Sequence, residues 1–77
     1  MKYEDGKVVE TFEKPDGQRR VELIERADGN ARFVELALLH DEYAGDYWSS
    51  AHHSGVYADV TAARDDLKKI IYWLRPE

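Results

Sequence analysis

The stretch Gln18-Arg19-Arg20-Val21-Glu22-Leu23-Ile24-Glu25-Arg26-Ala27-Asp28-Gly29-Asn30-Ala31-Arg32-Phe33-Val34-Glu35-Leu36-Ala37-Leu38-Leu39-His40 decides the fold. Two runs rich in Val, Ile, Leu and Phe flank Asp28-Gly29. That dipeptide is a strong short-range hairpin signal, because a type I′ turn needs positive φ at both central residues. A two-residue loop at Asp28-Gly29 pairs strands over 18–26 and 31–40. It sets Leu23 opposite Val34 and Val21 opposite Leu36.

A second turn lies upstream. In Lys14-Pro15-Asp16-Gly17, Pro presets φ and Gly admits positive φ. A three-residue loop over Pro15–Gly17 adds a strand over 7–14, with Val9 facing Leu23 and Thr11 facing Val21. One face then carries the rows Val9-Leu23-Val34 and Thr11-Val21-Leu36. The same register places Lys7 beside Glu25, Glu25 beside Arg32, and Glu13 beside Arg19, each worth a few tenths of a kcal/mol.

Downstream, Asp41 to Asp46 reads as a loop turning at Gly45, followed by a fourth strand over 47–53. The last segment reads as a helix over 60–74. Asp59 is its N-cap, and Val60, Ala63, Leu67, Ile70, Ile71 and Leu74 form one apolar stripe. Lys68, Lys69 and Arg75 suit the negative end of the helix dipole, and Pro76 stops the helix. The expected fold is α+β: a four-stranded antiparallel sheet, a β-meander plus a fourth strand, with one C-terminal helix packed on one face. Its 77 residues form a single small domain over 1–77, since a chain of this size buries only about 60% of its extended surface.

Composition narrows the function. Sixteen acidic residues outnumber eleven basic ones, for a net charge of −5. Nucleic acid is not the expected partner, because its affinity rests on phosphate contacts and the only adjacent basic pairs are Arg19-Arg20 and Lys68-Lys69. The absence of cysteine removes thiolate metal sites and thiol catalysis. It also favours the cytoplasm, because small secreted domains are usually stapled by disulfides. The charged start, Met1-Lys2-Tyr3-Glu4-Asp5-Gly6, has no apolar signal-peptide region, and Leu36–Leu39 is far too short to span a membrane.

The predicted register leaves the face opposite the helix with three rows: Val8-Ile24-Phe33, Glu10-Glu22-Glu35 and Phe12-Arg20-Ala37. The third strand is apolar at both alternations, and one helix covers only one of them. The expectation is a small non-catalytic interaction module. It would self-associate as a homo-oligomer, or bind a basic partner protein, through Val8, Glu10, Phe12, Glu22, Ile24, Phe33 and Glu35 on the open sheet face.

The alternative is a metal- or small-ligand-binding protein using the 40–57 segment, with His40, Trp48, His52 and His53 as ligand residues. His52 and His53 are adjacent, so a strand aims them at opposite faces. No zinc-ligand spacing is present, and no metal or cofactor is assigned. Serine and histidine are both abundant here, but a nucleophile elbow of the form G-x-S-x-G is missing, so no catalytic residue is assigned.

Overall fold

A computed structural model describes residues 6–74. Its strands are β1 (Gly6–Glu13), β2 (Arg19–Arg26), β3 (Ala31–Asp41) and β4 (Gly45–His53), followed by helix α1 (Val60–Ile70) and a 3₁₀ turn at Tyr72–Leu74. The four strands form one antiparallel sheet in the order β1-β2-β3-β4, and α1 packs on β2 and β3. This is the expected α+β architecture. Among the described residues no helix is long and apolar enough to cross a membrane. Arg75 and Pro76 lie outside the described residues, so the expected stop at Pro76 does too.

The register differs from the expected one by a single residue, with large consequences. The loop between β2 and β3 spans Ala27, Asp28 and Gly29. Gly29 N donates to Arg26 O (3.0 Å), and Arg26 N donates to Asn30 O (2.7 Å). Only Gly29 takes positive φ, at 89°. This is a type I turn closed by a glycine bulge, not a type I′ turn, which would also force Asp28 into the left-handed region. Asp28 stays out of that region and its Oδ1 instead accepts from Asn30 N (3.0 Å).

The extra loop residue pairs Leu23 with Phe33 and Val21 with Glu35. Strand side chains alternate, so the whole of β3 is turned over relative to β2. The β1–β2 loop is also longer than expected. Gly17 N donates to Lys14 O and Lys14 N donates to Arg19 O, both at 2.9 Å, which leaves residues 15–18 in the loop. A bulge at Val9 absorbs the difference. Val8 faces Ile24, while Glu10 faces Leu23 and Phe12 faces Val21. Of the three expected charge pairs, Lys7 does face Glu25. Glu13, however, faces Arg20, and Arg32 faces Ile24.

Helix α1 starts as its sequence dictates. Asp59 is extended, and its Oδ1 accepts from Ala62 N at 2.8 Å, satisfying one of the first-turn donors. Lys68 and Lys69 occupy the last turn. The helix ends at Ile70, four residues short of the expected boundary. Ile71 N still donates to Leu67 O (2.9 Å), but its backbone is extended. A continued helix would aim Trp73 about 120° away from Leu67. The break returns Trp73 to the sheet, where its indole Nε1 donates to Glu35 Oε2 (3.0 Å).

Two cores result, one on each face. Under the helix, Val21, Leu23, Ala31, Phe33, Ala63, Leu67 and Ile71 are buried, with Phe12, Tyr57, Val60, Trp73 and Leu74 packed around them. On the other face Ile24, Val34 and Leu36 are buried, with Trp48 against them. Each fully buried large side chain contributes roughly 1.5–3 kcal/mol relative to exposure.

The segment joining β4 to α1 is tied down at three points. Ser54 Oγ accepts from Phe33 N (2.8 Å), Tyr57 exchanges backbone hydrogen bonds with Ala31, and the Tyr57 hydroxyl donates to Asp66. Burial pushes the Tyr57 phenol up to about 12, helped by the Asp66 carboxylate beside it. Its ring stacks on Phe33 with centroids 6.0 Å apart.

Candidate functional site

The seven residues expected on one open face are divided between two. Glu10, Phe12, Phe33 and Glu35 lie on the helix side, and Val8, Glu22 and Ile24 on the other. The cause is the one-residue shift at each loop. Phe33 and Ile24 are both fully buried, so neither is available as an anchor for a partner.

The glutamates do not form a row either. Arg64 Nε donates to Glu10 Oε1 at 2.7 Å, joining the helix to the edge strand β1. Glu35 is buried, and its Oε2 accepts from Arg19 Nη1 (3.3 Å) as well as from Trp73. Arg20 Nη2 pairs with Glu22 Oε2 at 3.3 Å. Separating the three carboxylates and giving each a donor removes the like-charge repulsion that a shared row would carry.

The second face is partly covered by the chain's own side chains. The Arg20 guanidinium lies 4.6 Å from the centroid of the Trp48 ring, an arrangement worth about 0.5–1 kcal/mol at an exposed site. Trp48 reaches this position because β4 pairs it with Leu38, on the same face as Leu36. Trp48 packs against Ile24, Val34 and Leu36, which are buried, and among the described residues the apolar surface left on this face is Val8 at its β1 edge.

The ligand residues of the alternative reading are also separated. His40 and Trp48 share the second face, and His40 Nδ1 meets Asp46 Oδ1 at 2.8 Å in an exposed pair. His53 faces Val34 on that same side. His52 faces Glu35 on the helix side, and its ring lies 6.1 Å from Phe33. Among the described residues no three His, Cys, Asp or Glu side chains come together in a way that would hold a metal ion.

The most distinctive surface lies on the β4 side of the sheet. The pairing of β2 with β3 ends at Arg19–Ala37, followed by one bond from Leu38 N to Gln18 O (2.9 Å). The hairpin over 39–47 therefore extends past β2. Leu39 and Tyr47 face each other across it and are 42% and 45% exposed, while Tyr43 at its tip is 92% exposed. Asp41 braces the tip, with Oδ1 accepting from Tyr43 N (2.7 Å) and Ala44 N (3.0 Å). Those two backbone donors hold its carboxyl below the usual aspartate range. Asp41, Glu42 and Asp46 supply the hairpin's charge, and no Lys or Arg lies between residues 33 and 63.

The sequence contained one usable signal for this surface. Tyr43 and Tyr47 lie on either side of Gly45, a spacing that fits a longer hairpin than the expected strand over 47–53. Comparison with family models, curated proteins and solved structures finds no match to this chain.

Proposed function

We propose that the chain is a non-catalytic protein-interaction module whose contact surface is the β4 side of the sheet: the hairpin over 39–47 and the free edge of β4. One observation carries this reading. Leu39, Tyr43 and Tyr47, three of the eight exposed large hydrophobic residues among those described, sit within nine residues on one protruding hairpin. Exposed tyrosine supplies a large, fairly rigid contact area with a polar tip, and interfaces are enriched in it. The bracing by Asp41 lowers the ordering cost on binding, because the tip is held before a partner arrives. The acidic residues Asp41, Glu42 and Asp46 favour a partner that sets hydrogen-bond donors such as histidine against them.

Site-directed photo-crosslinking in the producing cell tests this. Tyr47→benzoylphenylalanine should give a discrete adduct that is lost when Leu39→Asp is added. Val9→benzoylphenylalanine, on the opposite edge, should give none. No adduct from position 47, or equal adducts from both edges, would overturn the reading.

A further inference from the structure

We infer that the occupant of the β4 edge is a second copy of this chain, added antiparallel to β4 so that two four-stranded sheets become one. The inference rests on the interaction reading above and deepens it by naming the partner. An edge strand presents a row of unpaired backbone donors and acceptors, and natural sheets block such rows with charges, prolines or bulges. The two edges here are treated differently. β1 carries Lys7, Glu10 and Glu13 along its length and a bulge at Val9 in its middle. β4 has no charged residue and no proline from Tyr47 through Ala51. Its own irregularity lies near one end, where the pairing jumps from Leu36–Ser50 to Glu35–His52 and leaves Ala51 as the extra residue. The helix packs on β2 and β3, so it does not overhang this edge.

The sequence of β4 is complementary to its own reverse. Ser49 is the middle residue of the nine-residue strand. A two-fold axis through Ser49 sets Trp48 opposite the partner's Ser50, a large side chain against a small one on each side of the axis. Ala51, as the extra residue, takes no place in the count, so Tyr47 meets the partner's His52 and Asp46 meets the partner's His53. Asp46 faces His40 and His53 faces Val34, so both lie on the second face of the sheet and can meet across the joint. Acidic and histidine ends therefore coincide twice, once on each side of the axis. A joint of one strand pair buries less surface than a standard interface of roughly 1,600 Å², so the dimer belongs to the weak, concentration-dependent class.

Sedimentation velocity from low micromolar to millimolar protein tests this. The mass of the wild-type chain should climb from 8.9 kDa towards twice that value. Ser50→Lys adds an edge lysine at an exposed position and should raise the dimer dissociation constant by at least about tenfold, whereas Val9→Lys on β1 should change it by less than about twofold. Circular dichroism of the dilute samples confirms folding. Asp46→Lys should also weaken the dimer, and Asp46→Lys combined with His53→Asp should restore it, which reads the register without relying on Ser50. A wild-type chain that remains at 8.9 kDa throughout overturns the inference, as does an equal effect of Val9→Lys and Ser50→Lys. A monomeric chain that still crosslinks a foreign protein from position 47 would refute the second copy alone. Absence of any adduct there would refute the interaction reading as well.

Discussion

Phe33→Ala lowers the unfolding free energy by about 3–5 kcal/mol, the range for a fully buried phenylalanine. Phe33 is the largest fully buried side chain, at 0% exposure as the third residue of β3. It packs beneath the helix with Val21, Leu23, Ala63 and Leu67, and its ring is flanked by those of Tyr57 and His52. Its truncation removes contacts to the sheet, the helix and the 54–59 connection together. The cavity cannot collapse easily, because Tyr57 is fixed by its backbone bonds to Ala31 and its hydroxyl bond to Asp66. Native stability is only about 5–15 kcal/mol, so the variant loses a large share of it. Urea unfolding followed by tryptophan fluorescence measures the loss. A change below about 1 kcal/mol would place the core elsewhere.

Leu67→Ala is expected to cost about 2–5 kcal/mol. Leu67 is completely buried, and it is one of only two fully buried residues of α1. The other, Ala63, is already small, so Leu67 supplies most of the helix's apolar grip on β2 and β3. The 11-residue helix is too short to be stable without that docking. Losing the grip also frees Ile71 and the Trp73–Glu35 bond that follow it. Because Phe33 and Leu67 share one core, the double variant should fall short of the sum of the singles by more than about 0.5 kcal/mol, as residues sharing a cavity do.

The sequence conveyed which segments form strands and helix but not how the strands pair. Turn residues, the Asp59 cap and the Val60–Leu67 periodicity are local properties, and each has a local physical cause. Register is not local. In β3, Phe33, Val34, Leu36, Ala37, Leu38 and Leu39 are apolar at both alternations, so hydrophobic patterning does not choose between two pairings that differ by one residue. The choice falls to the loop, and Asp28-Gly29 is compatible with both a two-residue turn and a three-residue turn with a glycine bulge. The same ambiguity misplaced the candidate site. With β3 turned over, the three glutamates separate to three different partners, Phe33 goes under the helix, and Trp48 and Arg20 pack on the second face. The protruding hairpin remained hidden for a related reason: its prominence is set by where β2 stops, which no residue within 39–47 encodes.

With Phe33 and Ile24 both buried within the fold, the proposed contact runs through β4 rather than through a face of the sheet. A concentration series of amide nitrogen–proton spectra on labelled protein distinguishes the two. Shifts with rising concentration are expected on residues 43–53, with the amides of Val8, Thr11, Glu22 and Ile24 staying in place. Shifts concentrated on those four amides, with β4 unmoved, would place the contact on a sheet face instead.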